Sequence, residues 1–259
     1  MANLYLTDAL LTQAQLQVSY VRQAGNGVVA FAVGDVIGRP AGGGQPADHC
    51  RFLHRGIAFD VVRASKQSEA PHLTLYEYAP FDHVPVEVGE TIEFFVDKER
   101  RLNLSRCHTL THLLMGAIRR CVPDYESRGA EIGEDEVSCA LWFASVKTPS
   151  KEQIAEIDQL GRSAIGSDFK VSVTVEKSLE LAAQKYASWR VDQTLGLKGK
   201  VRTIVIGDAW DANPCSGTHA ASTGEIGAYA IGEVEWSAQR GCWQLNVERA
   251  QNWRYWYND

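Results

Sequence analysis

Two pairs of metal-ligating side chains, far apart in the chain, restrict the fold more than any other feature of this sequence. His108 and His112 stand four residues apart in the run Arg106-Cys107-His108-Thr109-Leu110-Thr111-His112-Leu113-Leu114. On a helix that spacing puts both rings on one face, where both imidazoles reach one ion. Leu113, Leu114, Met115, Ala117 and Ile118 continue a helical pattern, and Arg119-Arg120 close its last turn, where positive charge suits the dipole. The second pair, Cys215 and His219, lies in Asp211-Ala212-Asn213-Pro214-Cys215-Ser216-Gly217-Thr218-His219. Three imidazoles and a thiolate suit zinc, and the two segments must meet if one ion is to touch them all. Each pair alone has a plainer explanation, since histidines on a helix are commonly surface or core and a lone cysteine is a small buried hydrophobe. Both in one chain favour the metal.

Residues 1–96 read mostly as β. Leu16, Val18 and Tyr20 alternate with polar neighbours, Gly25-Asn26-Gly27 is a turn signal, and Val28 to Val33 is an apolar run. Ile57, Phe59 and Val61 alternate, as do Leu73 and Leu75, and then Ile92, Phe94 and Val96. Short strands separated by turns predict a small barrel or sandwich. Among them lies Arg39-Pro40-Ala41-Gly42-Gly43-Gly44-Gln45-Pro46-Ala47-Asp48. Its glycines let backbone approach a ligand closely or take positive φ, with a flexible hairpin loop as the alternative. It is not a phosphate-binding P-loop, because no Gly-Lys-Ser/Thr follows. Gln45 is an uncharged donor and acceptor beside Gly43 and Gly44.

The second half mixes helices with an antiparallel sheet, giving an α+β class overall. Pro123-Asp124-Tyr125 ends the histidine helix, and Val137, Cys139, Leu141 and Phe143 alternate as a strand. Ser150 begins a helix with a Ser-x-x-Gln capping box and an apolar stripe of Ile154, Ile157, Leu160 and Ala164. Val171, Val173 and Val175 form a strand, residues 177–188 read as helix, and Val201 to Ile206 as a strand that ends before the cysteine cluster. Ile226 to Trp236 and Cys242 to Val247 close the chain as a hairpin. The aromatic tail Trp253-Arg254-Tyr255-Trp256-Tyr257 is expected to pack back on its domain.

No run approaches the roughly 18 apolar residues of a membrane span, so no membrane partner is expected. Six scattered cysteines without a CxxC pair imply reduced thiols in a cytoplasmic setting. A net charge of −6 argues against a general nucleic-acid coat. Yet Lys98, Arg100, Arg101, Arg106, Arg119 and Arg120 face only Glu99 across residues 98–120. That basic cluster either steers a polyanion to the histidine helix or consists of solvated helix ends.

His108-Thr109-Leu110-Thr111-His112-Leu113-Leu114, Cys215-Ser216-Gly217-Thr218-His219, Thr223-Gly224-Glu225-Ile226-Gly227 and the loop Pro40 to Asp48 occur here in the order found in the alanyl-tRNA synthetase editing domain and its AlaX-type trans-editing relatives. The sequence resembles that family from about residue 36 to residue 232, and Asp97 and Arg101 match its acid and arginine ahead of the histidine motif. The resemblance implies a small N-terminal β-barrel-like domain (1–96) packed on a zinc-binding α+β editing domain (97–259), with the site between them. It implies hydrolysis of an amino acid wrongly esterified to the 3′ end of tRNA, most often serine or glycine on alanine tRNA. His108, His112, Cys215 and His219 would bind Zn2+, and Gln45, with Gly43 and Gly44, would line the amino-acid pocket. Apart from the resemblance, Thr109 is expected to join Gln45 in hydrogen-bonding the substrate, and Arg119 and Arg120 of the basic cluster are expected to contact tRNA. This chain departs from the family at Ile37-Gly38-Arg39, where Phe-Tyr usually precedes the proline, at Asp48-His49-Cys50, at Ala220, and most of all from Glu235 onward.

An editing step has a physical rationale, because an apolar pocket rejects an isostere with an added hydroxyl by only about a hundredfold. Four protein ligands describe a closed structural site, whereas catalytic zinc keeps a position open. The metal would therefore expand its coordination, exchange one ligand for substrate, or mainly shape the pocket. Three alternatives stand beside the main expectation: a deacylase for another small or β-hydroxy amino acid such as threonine, a tRNA-binding protein without hydrolysis, and a small-molecule-binding protein with structural zinc. A zincin would need Glu where Thr109 stands, a zinc deaminase a second Cys where Thr218 stands, and a serine hydrolase a Gly-x-Ser-x-Gly elbow.

Overall fold

The computed structural model describes residues 2–67, 73–81, 83–186 and 199–250. The chain divides into two compact units, one of residues 1–42 and 46–102, the other of residues 43–45 and 103–259. The aromatic tail after residue 250 lies outside the described residues.

The first unit is a seven-stranded sheet. Its strands are β1 (Gln13–Gly25), β2 (Val28–Val33), β3 (Cys50–His54), β4 (Ile57–Asp60), β5 (Arg63–Lys66), β6 (Thr74–Tyr78) and β7 (Thr91–Val96), in the order β4-β3-β7-β1-β2-β6-β5, every pair antiparallel. β1 organises it: residues 13–17 pair with β7, residues 18–25 pair with β2, and the register shifts between Val18 and Tyr20. A bulge of this kind bends a strand and increases its twist, so the two arms curl toward each other. Phe31 from one arm meets Phe52 from the other at 5.0 Å between ring centres, and Phe52 meets Tyr78 at 4.8 Å. These rings, with Ile37, Tyr76 and Phe94, are fully buried. Sequence alternation locates β1, β2, β4, β6 and β7 and misses β3 and β5, which carry charged residues and offer little apolar periodicity.

Asp48 is the polar anchor of this unit. Its carboxylate accepts from Nε and Nη2 of Arg101 and from the Arg39 backbone N–H, and Arg101 Nη2 also reaches the Ile37 carbonyl at 2.6 Å. The Arg39 guanidinium, itself buried, donates to the carbonyls of Pro40, Gly42 and Pro46. Arg39 thus braces the glycine loop from inside. Arg100 donates to the Ala47 carbonyl and is buried too. The expected basic field around the histidine helix is therefore corrected at Arg100 and Arg101, whose charges are spent within this unit.

The second unit is α+β, as expected from the sequence. α1 (Lys98–Cys121) enters it after Leu102; α2 (Lys151–Gly166) and α3 (Leu179–Lys185) follow. One antiparallel sheet has the order β13-β14-β9-β8, from β8 (Glu126–Ile132), β9 (Ser138–Ala144), β13 (Tyr229–Ser237) and β14 (Cys242–Arg249). A second comprises β10 (Val171–Glu176), β11 (Val201–Ile206) and β12 (Asp211–Pro214). Leu110, Leu113, Leu114, Ala117 and Ile118 of α1 pack with Leu141, Phe143 and Leu245 of the larger sheet, and all are buried. The α2 capping box forms: Ser150 Oγ accepts from the Gln153 N–H at 3.2 Å, and Gln153 Oε1 accepts from the Ser150 N–H at 2.9 Å. β8 and β12 have no apolar alternation and escape sequence reading, yet both flank the site.

Candidate metal centre

Helix α1 delivers two of the four candidate ligands, and the turn after β12 delivers the others. Docking of that turn depends on Gly116, one turn beyond His112. A Cβ there would lie 2.7 Å from the indole nitrogen of Trp210, which instead donates to the Leu113 carbonyl at 3.0 Å. Trp210 packed on the helix sets the start of β12, and four residues later the chain reaches Cys215. At the next constriction, a Cβ on Gly217 would fall 2.1 Å from Cε1 of His108.

The ligand atoms of His108, His112, Cys215 and His219 all lie within 4.8 Å of one another. Cys215 Sγ stands 3.3 Å from Nε2 of His108 and 3.3 Å from Nε2 of His219. A tetrahedral zinc with bonds of about 2.0 Å to nitrogen and 2.3 Å to sulfur would set such atoms about 3.5 Å apart. His108 and His112 are buried, while Cys215 and His219 are partly buried.

The other nitrogen of each ring is held by a different partner, and each partner fixes the tautomer. Gln45 Oε1 accepts the Thr218 backbone N–H at 3.1 Å, which identifies it as oxygen, so His108 Nδ1 donates to it at 2.8 Å. Asp211 Oδ2 accepts from His112 Nδ1 at 3.0 Å. Thr109 gives its one hydroxyl hydrogen to the Ser105 carbonyl at 2.9 Å, so it accepts from His219 Nδ1 at 3.2 Å. All three rings therefore carry Nδ1–H and turn Nε2 toward the common point beside Cys215, where His112 would ligate after losing its second proton. This is the arrangement a zinc site requires, and the residues present fit the ion.

Electrostatics agree. Burial alone would push the Cys215 thiol up, but the imidazoles of His108 and His219 outweigh it and hold the thiol well below its ordinary range. His112 is raised to about 10 against the effect of its burial, because Asp211 and Cys215 favour its proton. Burial pushes His219 down to about 3. Asp211 remains ionised despite full burial, supported by His112, Arg119 and Asn213.

Gln45 and Thr109, expected to hydrogen-bond substrate, are buried with their polar atoms turned to the ligand rings; the Gln45 amide nitrogen donates to Thr218 Oγ1 at 3.0 Å, and Thr109 Oγ1 also receives the Ala220 N–H at 3.0 Å. Each thereby fixes the orientation of one histidine ring. Arg119 and Arg120, expected at a tRNA surface, both donate to the Trp210 carbonyl, and Arg119 also reaches Asp211 Oδ1 at 3.3 Å. Arg120 lies over the Trp210 ring at 4.1 Å and stays exposed.

Beside the ligands opens a cavity of about 240 Å³, lined by His108, Thr111, His112 and Met115 of α1 and by Asn213 and Cys215 across from them. Gly43 also lines it, and Gly44, at φ +75°, has no room for a Cβ, which would sit 2.0 Å from the Ala130 carbonyl oxygen. The Gly44 carbonyl accepts from the Ile132 N–H at 2.7 Å, tying the tripeptide to β8. Sequence reading missed Asp211, Asn213 and Met115. The Asp-x-Asn spacing ahead of Cys215 was the available signal for the first two.

Residues 201–241 match the family described as the threonyl and alanyl tRNA synthetase second additional domain. That stretch contains Asp211 to His219. Alanine–tRNA ligase of Pyrobaculum arsenaticum is 34% identical over 198 residues, 75% of this chain and 21% of the ligase. The ligase of Hyperthermus butylicus is 33% identical over 198 residues, 76% of this chain and 20% of its own length, and that of Lactococcus lactis 31% over 199 residues, 74% and 21%. The chain thus corresponds to about a fifth of the curated relatives it matches. No described helix is long and apolar enough to cross a membrane, and all six cysteines are free.

Proposed function

We propose that this chain, which belongs to the alanyl-tRNA synthetase editing-domain family, hydrolyses the ester between a wrongly attached amino acid and the 3′ end of tRNA, with serine on alanine tRNA as the preferred substrate, glycine next, and Zn2+ as cofactor. The supporting observation is the convergence of three imidazole Nε2 atoms and the Cys215 thiolate on one point at the wall of a cavity. His108, His112, Cys215 and His219 would hold the zinc. Bound there, zinc supplies Lewis acidity, either to the ester carbonyl or to a water. In the reaction, water oxygen bonds to the carbonyl carbon, the carbon–ribose oxygen bond breaks, and the ribose oxygen leaves with a proton. The chain's own residues set the geometry: Gln45, Asp211 and Thr109 hold the three rings, while Gly43 and Met115 bound the space beside them. Arg120, exposed beside the site, is the cation offered to the tRNA backbone.

The test is deacylation of serine-, glycine-, threonine- and alanine-charged tRNAs by the purified chain acting in trans, with zinc content measured alongside. Zinc near one equivalent with fastest loss of serine from alanine tRNA supports the reading. Faster hydrolysis of a threonyl ester would move the specificity to another β-hydroxy amino acid. Full zinc with no hydrolysis of any ester would leave only the binding alternatives.

A further inference from the structure

The Asn213 side chain lies between Asp211 and the cavity. Its Nδ2 donates to both carboxylate oxygens of Asp211, each at 2.7 Å. A carboxylate only accepts, so the nitrogen must face Asp211, its N–H shared between the two carboxylate oxygens. The carbonyl oxygen is then turned away from Asp211. Asn213 is half-buried and lines the cavity beside His112 and Cys215. Among the described residues no donor reaches its Oδ1. Asp211 does not move to accommodate it, because the same carboxylate is fastened by His112 at 3.0 Å and by Arg119 at 3.3 Å and is fully buried. The cavity therefore presents a fixed, uncharged acceptor with a negative charge directly behind it.

Of the donors an aminoacyl ester carries, the α-ammonium is the one with a positive charge, and an acceptor backed by a carboxylate favours it over the serine or ribose hydroxyl. The amino-acid part must lie close to the metal ligands, and its cation is repelled by a bound dication unless an acceptor receives it. A free carboxylate in that place would itself compete for the metal. An amide oxygen oriented by a buried carboxylate binds the ammonium without that competition.

We propose that Asn213 is a substrate-binding residue that receives the α-ammonium of the aminoacyl ester, with Asp211 and Arg119 as its positioning residues. The site thereby selects esters with a free amino group and rejects N-acylated ones. This inference rests on the deacylase reading above.

The experiment compares seryl-tRNA with N-acetylseryl-tRNA on the zinc-loaded chain. Alongside, calorimetry measures binding of an adenosine carrying serine through a 3′-amide and of its N-acetyl form. Wild type should deacylate the free-amine ester at least about tenfold faster and bind the free-amine amide at least about tenfold tighter, the scale of one hydrogen bond to a charged group. Asn213→Leu, which keeps the branched shape but removes the amide, should lose most of that preference in both assays when free-amine and N-acetyl substrates are compared on the same zinc-loaded variant. Equal treatment of both substrates by wild type overturns the inference, as does an Asn213→Leu variant that keeps the preference. Absence of any hydrolysis by zinc-loaded wild type is a separate outcome and removes the deacylase reading itself.

Discussion

Gly217→Ala should empty the metal centre without unfolding the unit. The added methyl would sit 2.1 Å from Cε1 and 2.2 Å from Nδ1 of His108, and 2.8 Å from Oε1 of Gln45. Ordinary contact begins near 3.4 Å, so the ring must retreat by roughly 1.3 Å. Metal–ligand distances tolerate about 0.2 Å, and His108 cannot both retreat and remain a ligand. Its retreat also breaks the Nδ1 bond to Gln45, whose loss alone is of the kind that costs about 10–100-fold in metal affinity. Losing the ligand costs more, so a drop of at least about a hundredfold is expected. The strain of the extra methyl adds about 1–3 kcal/mol of destabilisation, or roughly 2–12 °C in melting temperature for a unit of this size. Competition with a chromophoric chelator measures the affinity, and circular dichroism confirms the fold. Gly166→Ala, where a methyl meets open space at the end of α2, is the control and should change neither quantity. Wild-type zinc retention by Gly217→Ala would refute the close packing of His108 against residue 217 and, with it, the geometry assigned to the ligand.

Zinc uptake by the metal-free chain should release at least about one proton at pH 7.5. His112, raised to about 10 in the metal-free site, is then protonated and must lose that proton to ligate, whereas Cys215 is already a thiolate and His219 already neutral. Affinity therefore rises with pH and levels off as pH passes His112's value of about 10; calorimetry in buffers of differing ionisation enthalpy reads the proton count, and a count of zero contradicts the assignment. Arg120→Ala should lower the salt slope of tRNA binding by about one with zinc content intact, while Arg119→Ala should also hasten zinc loss to a chelator because Asp211 loses a partner. An unchanged slope for Arg120→Ala would take that side chain away from the RNA. Ser150→Ala removes the α2 cap and should cost about 1 kcal/mol, seen as a lower urea midpoint with unchanged deacylation.

The ligand residues are legible in sequence because their spacing is a local property: four residues along a helix or a tight turn place two donors on one side whatever the rest of the chain does. What holds the ligands is not local. Gln45 reaches His108 across 63 residues, Asp211 reaches His112 across 99, and Thr109 reaches His219 across 110. Each partner looks polar and available in the sequence, which is why Gln45 and Thr109 read as substrate contacts. Folding consumes their hydrogen-bonding capacity internally. The same holds for Arg101 and Arg119, which count toward a basic cluster along the chain but are paired with Asp48 and Asp211 in space, and for Arg100, which is buried and bonded to the Ala47 carbonyl. Alternation recovers the strands with one apolar face, such as β7 and β10, and fails for β8, whose residues Glu126 to Ile132 include two acids, an arginine and a glycine bulge.

Charge balance ties these partners to the chemistry. A divalent ion held by the four ligands would be offset by the Cys215 thiolate and the Asp211 carboxylate, and Arg119 would then leave the cluster with one positive charge in excess. An excess of that sign favours the polyanionic end of a nucleic acid and a developing negative charge on a carbonyl oxygen. It disfavours the ammonium group that every aminoacyl ester brings with it. Replacing Asp211 by an uncharged residue would worsen that conflict, while adding a second carboxylate at the cavity wall would cancel the excess that serves the ester. A single buried carboxylate shared between a metal ligand, an arginine and the amide of Asn213 satisfies both demands. For that reason Asp211 and Asn213 are expected to be energetically coupled, and a double-mutant cycle between Asp211→Asn and Asn213→Leu on the affinity of the serine amide should be non-additive; strict additivity would mean that the carboxylate and the amide act independently.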